Sequence, residues 1–308
     1  MKNNASRLLV RIFGIGAVTA IGFAAVCGSA QPQGKQMVFA ESDFHWGGLG
    51  LVVGGVPQPQ EKRTIFTEGD FHWQAKLAPG QTLEIIGRNG EIEANGTADD
   101  STQVNATRRG HGGDEEREAF IEVVEYSDGV TICAVYAREA KPGRCHRGGV
   151  DSESGNFWHN SRAKVTFSAR VPRGVILKAE TTNGDIRARD LYSVMHANTT
   201  NGSVEISTSE WASCHTTNGH LGVTMGKANW DGELDLATTN GGITVSLPAS
   251  AQFNVRAATT NGNIRTDFPI TVQGTFGTKN ISGTVGSGGR ELKLATTNGG
   301  IEVRKSGA

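Results

Sequence analysis

Aromatic side chains are scarce in this sequence, and so is any excess of one charge. Aromatics make up 6% of the 308 residues while glycine contributes 42, a balance that favours a turn-rich β architecture over a helical bundle. Lysine and arginine number 30 against 31 acidic residues, so there is no electrostatic footprint for nucleic acid or an anionic membrane surface. Cysteine occurs four times, at Cys27, Cys133, Cys145 and Cys214, and the twelve-residue gap between the middle two fits no zinc pair. Long apolar runs are missing beyond the N-terminus, so no later segment can cross a bilayer as a helix. The "GSGG" at 286–289 lacks the Lys-Ser/Thr of a phosphate loop, and the calcium-binding pattern GGxGxD is absent. No cofactor is implied.

Residues 1–30 read as an export signal. Lys2, Arg7 and Arg11 form a positive n-region, residues 12–26 an apolar run, and Gly28-Ser29-Ala30 a small-residue cleavage site. Cleavage there leaves a mildly acidic mature chain. Two other fates fit the same residues: an uncleaved anchor, since 12–30 is uncharged and close to the ~20 residues that span a bilayer, or a lipid on Cys27, which Val26 disfavours. In an oxidising compartment Cys133 and Cys145 are expected to pair, closing a loop that holds Lys141-Pro142-Gly143.

What the chain has in abundance is one tetrapeptide. "TTNG" begins at Thr181, Thr199, Thr216, Thr238, Thr259 and Thr296, with successive gaps of 18, 17, 22, 21 and 37 residues. The segment "LATTNGGI" is identical at 236–243 and 294–301. The last gap is almost two periods, and "GTKNISG" at 277–283 sits where a degenerate unit belongs; "GRNGEIE" at 87–93 is an outlying copy. A period near 20 residues belongs to solenoids and arrays.

Alignment on the first Thr exposes strands on both sides. Four residues earlier stand Leu177, Met195, Ala212, Leu234, Val255 and Leu292; two earlier stand Ala179, Ala197, Cys214, Leu236, Ala257 and Leu294. Polar residues such as Lys178, His196 and Asp235 lie between, which is the alternation of a half-buried strand. After each Asn-Gly, Ile186, Val204, Leu221, Ile243, Ile264 and Ile301 begin a second alternating strand.

Asn-Gly between such strands is also a hairpin signal, so an antiparallel meander is the rival arrangement. In a meander, turns on one edge recur about 9.5 Å apart, too far for their side chains to touch. In a solenoid, like residues stack ~4.8 Å apart, and stacked Asn can form a hydrogen-bonded ladder. The identity of the turns therefore predicts an all-β, single-stranded β-solenoid of ~20-residue coils. Its corners would be Thr181-Asn183-Gly184, Asn201-Gly202, Asn218-Gly219, Asn240-Gly241, Asn261-Gly262 and Asn298-Gly299, with glycine supplying φ > 0.

The upstream half is organised differently. A Gly/Pro/Gln-rich segment, 31–80, holds "ESDFHW" at 41–46 and "EGDFHW" at 68–73. A β region, 81–170, begins with "TLEIIGRNGEIEA" as a first coil, then a polar excursion, "NATRRGHGGDEERE" at 105–118, that is loop-like in composition. "IEVVEYSDGVTICAVY" at 121–136 is a hairpin expected, with its disulfide, to close the upstream end of the stack. Residues 171–308 form the repetitive array, whose last strand, "IEVRKSGA", is expected to be its bare downstream edge, protected by Arg304 and Lys305.

These segments together resemble a bacterial family labelled "putative adhesin". The resemblance rests on "FHWQAKLAPGQTLEIIGRNGEI", "IEVVEYSDGVTICAVY", "VPRGVILKAETTNGDI" and the serial T-x-N-G coils, and it covers about residues 70–308. It implies an exported β-solenoid-like domain and carries no established catalytic residues. The chain departs from the family in its second "DFHW" and in Thr where many relatives have Val before the Asn.

Candidate chemistry is thin. Asp43, His45, Asp70 and His72 offer two carboxylates and two imidazoles, but duplicated strand starts with packed Phe and Trp explain them as well. Cys214 falls in an apolar column and reads as a small hydrophobe. His215 and His220 flank one corner. Acidic residues such as Asp185, Glu205, Asp235 and Glu302 scatter over outward columns without clustering. The expectation is a non-catalytic envelope module that binds a glycan or protein along outward rows such as Arg187, Glu205 and Thr244. The alternatives are a scaffold assembling through its C-terminal coil and a polysaccharide-active enzyme.

Overall fold

The computed structural model describes residues 36–39, 61–67, 70–110, 119–136, 141–151, 163–272 and 277–306. The export signal, Cys27, Asp43 and His45 lie outside the described residues.

Each repeat makes two strands joined at its Asn-Gly corner, and the two strands enter different sheets. Coil one is Thr82–Ile86 with Ile92–Thr97; coil two Ile176–Asn183 with Ile186–Leu191; coil three Met195–Asn201 with Val204–Thr208. Coil four is Ala212–Asn218 with Leu221–Met225; coil five Glu233–Asn240 with Ile243–Pro248; coil six Phe253–Asn261 with Ile264–Thr266; coil seven Glu291–Asn298 with Ile301–Ser306. All pairings between coils are parallel, and they keep register, as in Leu177↔Met195↔Ala212 and Ile186↔Val204↔Leu221, apart from one shift between Ala188 and Leu191. The chain is a β-solenoid, and parallel pairing excludes the meander. Alternation then puts the Leu/Ala/Cys columns of one sheet against the Ile/Val columns of the other, forming one continuous buried core.

Coils do not stack in sequence order. Coil seven inserts between coils five and six, pairing with coil five in both sheets and with coil six on its other side. The two identical segments are therefore direct neighbours: Leu236 pairs with Leu294, Thr238 with Thr296, Asn240 with Asn298 and Ile243 with Ile301. This corrects two expectations. The C-terminal strand is no bare edge, since Val303 lies between Val245 and Thr266. And "GTKNISG" supplies no coil; Asn280–Val285 runs antiparallel to Phe253–Asn261 and, with Ile270–Thr271, covers the outer side of coil six in the first sheet. Phe268 seals the core there, edge-on to Phe253 at 5.4 Å.

Upstream, the hairpin Ala119–Tyr126/Gly129–Tyr136 extends the first sheet, joining coil one in parallel and Lys62–Phe66 on its far side. Strands Lys164–Pro172, Thr102–Arg109 and Phe71–Ala75 extend the second sheet beyond coil one. Residues 105–109, placed in a polar excursion by composition, are strand, because Val104 and Ala106 alternate into the core. The Cys133–Cys145 disulfide lies on the outer face of the first sheet, where it holds the short ribbon 145–150 over Ile65, Ile86, Phe120 and Val135. It does not close the sheet's edge. Glu122, fully buried, fastens that ribbon by accepting from the amides of Gly143, Arg144 and Cys145 at 2.7, 3.1 and 2.9 Å.

An interior position for the C-terminal coil predicts that Val303→Pro, which removes a ladder donor from a strand paired on both sides, destabilises the protein by about 3 kcal/mol or more. Urea unfolding followed by circular dichroism reads this directly. A cost below 1 kcal/mol, as at a solvated edge, would contradict the placement.

Candidate functional site

The corners are built from three ladders. The first Thr of each motif is buried, and its Oγ1 donates to the carbonyl of the preceding corner's glycine: Thr199 to Gly184 at 3.0 Å, Thr216 to Gly202 at 2.9 Å, Thr238 to Gly219 at 3.0 Å. Thr296 and Thr259 do the same to Gly241 and Gly299, each at 2.8 Å, and Thr181 to Gly90 at 3.1 Å. The Asn side chains form one chain of amides: Asn183 donates to Asn89, Asn201 to Asn183, Asn218 to Asn201 and Asn240 to Asn218, each at 2.8 Å. Asn298 donates to Asn240 at 2.7 Å, and Asn261 to Asn298 at 2.8 Å. Backbone amides complete the set, with Gly184, Gly202, Gly219, Gly241 and Gly299 donating to the Asn carbonyl of the next coil.

The role expected of glycine needs correction. Gly184, Gly202, Gly219, Gly241, Gly262 and Gly299 do not adopt positive φ; of the corner glycines only Gly90 does. They are required because a Cβ at each would sit 1.9–2.0 Å from a carbonyl oxygen of the neighbouring corner. Asn89 is the ladder member missing from the sequence-derived set, and the signal was the "RNG" of the outlying copy.

A second feature lies on the outer face of the second sheet. Glu93, Arg187, Glu205, Gly222, Thr244, Glu302 and Arg265 occupy one register row across the coils. Around its middle is a groove of about 680 Å³, lined by Arg187, Arg189, Glu205, His220, Thr244 and Arg304 among others. Gly222 is its floor, and the Glu205 carboxylate folds across it, with Oε2 2.5 Å from where a Cβ would stand. Arg187 is committed, donating to Glu91 at 2.9 Å and Asp185 at 2.5 Å, and Arg304 donates to Glu302 at 2.7 Å. Among the described residues, Glu205, Asp190 and Arg189 have no ion-pair partner, leaving two carboxylates and one cation of the lining for a ligand.

The other candidates are placed as follows. Cys214 is fully buried, and burial beside Asp235 pushes its thiol far above the ordinary range, so it supplies no thiolate. Phe71 and Trp73 pack in the core while His72 faces solvent and meets Asn105 Oδ1 at 2.5 Å; Asp70 is exposed. No group of three metal-ligating side chains occurs among the described residues. On the first sheet's outer face His215 lies 3.7 Å from Asp235, which Lys293 also approaches at 3.4 Å. His196 shares a hydrogen bond of 2.7 Å with Ser213 and packs edge-on against Trp211; burial, with Lys178 nearby, holds its imidazole below the ordinary range.

Comparison with known proteins places this geometry. Residues 151–304 match the family model described as Toastrack DUF4097. None of the curated proteins matches. Among solved structures, a putative cell adhesion protein from Clostridium sporogenes is similar with a TM-score of 0.38 and 9% identity, covering 77% of this chain and 100% of that one. A putative adhesin from Bacteroides fragilis is similar with a TM-score of 0.33 and 11% identity, covering 77% of this chain and 97% of that one.

Two measurements test the corner and the first sheet's face. Gly219→Ala, whose methyl would meet the Gly202 carbonyl, is expected to cost about 4 kcal/mol or more, whereas Asn218→Ala, losing two solvent-exposed amide bonds, costs about 1–2 kcal/mol. Equal costs in urea unfolding would refute the close-approach account. For His196, a folded pKa below the unfolded value of about 6.5 means that its share of stability is intact above pH 6.5 and lost on acidification. His196→Gln should flatten the fall in urea midpoint between about pH 7 and 5.

Proposed function

Because the chain belongs to the Toastrack DUF4097 family, we propose that it is a non-catalytic binding module of adhesion type, exported to the cell envelope, which holds its ligand in the groove of the second sheet. The observation that carries this reading is the row Arg187–Glu205–Gly222–Thr244. A glycine there opens a trough, and Glu205 and Arg189 beside it are charged and uncommitted. Strands paired on both sides hold these groups, so little ordering cost falls on binding. The hydroxyl and charged lining suits an extended, hydroxyl-rich polymer such as an envelope glycan, laid across successive strands ~4.8 Å apart.

Catalysis on such a polymer draws no support from the groove. Its carboxylates are Glu205 and Asp190. The register shifts after Ala188, and the Asp190 amide donates to Ser207 Oγ at 2.8 Å, which sets Asp190 on the adjacent coil about two residues along the strand from Glu205. Both carboxylates are exposed, without the apolar burial that suits a carboxyl to act as a general acid. Export is supported by the signal-like pattern of residues 1–30 and by the Cys133–Cys145 disulfide, since such bonds persist in oxidising compartments.

The test is co-sedimentation of the folded protein with isolated cell-wall polysaccharide. Glu205→Ala with Arg189→Ala should weaken retention by about tenfold or more, each lost charge-assisted bond being worth ~1.5–3 kcal/mol, with the melting midpoint unchanged. Gly222→Tyr, whose Cβ meets only the flexible end of Glu205, should fill the trough and abolish retention. If the double variant and Gly222→Tyr both sediment like the parent, the groove is not the binding face.

A further inference from the structure

Eight Asn-Gly dipeptides occur in this chain, and Asn-Gly is the pair most open to self-modification, because glycine leaves its backbone nitrogen unhindered beside the Asn amide. Asn95-Gly96 lies inside the strand Ile92–Thr97, paired on both sides. The other seven form the stacked corners, and their surroundings are not equal. Six of the seven glycine amides donate to the Asn carbonyl of an adjacent coil: Gly90 to Asn183, Gly184 to Asn201, Gly202 to Asn218, Gly219 to Asn240, Gly241 to Asn298 and Gly299 to Asn261, at 2.9–3.1 Å. The seventh, Gly262, stands at the outer end of the stack, where no further corner follows; Thr278 and Lys279 cover it instead, their carbonyls accepting from Ile264 and Thr259 while Lys279 Nζ donates to the Thr260 carbonyl. Among the described residues its amide has no acceptor.

The side chains divide in the same way. Asn183, Asn201, Asn218, Asn240 and Asn298 each donate through Nδ2 and accept through Oδ1. Among the described residues Asn261 donates to Asn298 and its Oδ1 accepts no bond, so one bond holds its amide. It is exposed. Both reacting partners, the Gly262 nitrogen and the Asn261 side chain, are thus least restrained at one corner.

We propose that Asn261 is a site of spontaneous deamidation and that the ladder protects the other corners from it. The Gly262 nitrogen attacks Asn261 Cγ, forming a C–N bond; the Cγ–Nδ2 bond breaks and ammonia leaves, taking up the proton that the Gly262 nitrogen gives up. Water then opens the five-membered imide at either carbonyl, leaving aspartate or isoaspartate. Aspartate has no Nδ2 with which to donate to Asn298, and isoaspartate adds a methylene to the main chain just before Gly262, one residue from Asn263, whose carbonyl accepts from Ile301 at 3.0 Å. Modification at Asn261 therefore loosens Ile264–Thr266 from the coil beneath it.

The experiment incubates the folded full-length chain in mildly alkaline buffer and maps peptides by mass spectrometry over time, with enzymatic methylation of isoaspartate as a second readout. Asn261 is expected to convert roughly 10- to 100-fold faster than Asn183, Asn201, Asn218, Asn240 or Asn298, the factor set by an extra hydrogen bond at each reacting partner in the protected corners. In urea, where the stack is gone, the corners should convert at similar rates. Conversion of Asn261 no faster than the interior corners in the folded protein overturns the proposal. So does a folded-state difference that persists unchanged in urea, which would assign it to local sequence.

Discussion

Where Gly219 passes Gly202, a Cβ would stand 1.9 Å from the Gly202 carbonyl oxygen, and the same near-collision recurs at Gly184, Gly202, Gly241, Gly262 and Gly299. This approach sets the rest of the stack. With the main chains so close, the buried Thr Oγ1 reaches a carbonyl one coil away, and the Asn amides fall within 2.7–2.8 Å of one another. Any side chain in place of the glycine would spread the coils and break all three ladders together. The first Thr, the Asn and the Gly are thereby fixed by one distance, which explains why these three recur while the bends on the opposite side of each coil vary; the second Thr is exposed and joins no ladder among the described residues.

The order of the coils depends instead on which strands pair. Coil seven stands between coils five and six, so the coil outermost in space is not the last in sequence. Residues 249–252 carry the chain across two strand spacings, about 9.6 Å, to leave that place. The long excursion after Thr266 supplies the antiparallel strand and the Phe268 plug that end the stack. Coil six then meets the remainder of both sheets through the sixteen residues of coil seven. Coil seven thus bridges coils five and six.

Much of the fold was legible in the sequence because its physics is local. The Leu177 and Ala179 columns alternate with polar neighbours, and repeated turns make sense only if like residues touch. Coil order was not legible, since it depends on which distant partners pair, and a 37-residue gap reads equally as a missing unit or as a departure and return. A clue was nonetheless present: the two "LATTNGGI" segments are identical and lie side by side. The use of glycine was misjudged because sequence shows that a Cβ is excluded but not whether dihedral angle or a neighbour excludes it. The row Arg187, Glu205 and Thr244 was visible as outward positions, whereas the groove was not. Its depth comes from Gly222, an ordinary absence on one line of text and a trough only when flanked by other coils.

A repeat invites the assumption that its repeated residues do the work of the protein. Here stacking takes up much of their bonding capacity: the first Thr is buried, and each interior Asn amide donates one bond and accepts one along the ladder. Chemical freedom lies in the outward columns, where alternation demands only that a side chain face water. In the first sheet one such column runs Lys178, His196, Ser213, Asp235, Lys293 and Arg256; in the second, Glu93, Arg187, Glu205, Gly222, Thr244, Glu302 and Arg265. Identity at the corner holds these columns in register, and variation within them can differ from chain to chain without disturbing the stack. Recognition in such a molecule is therefore to be sought where the repeat stops repeating.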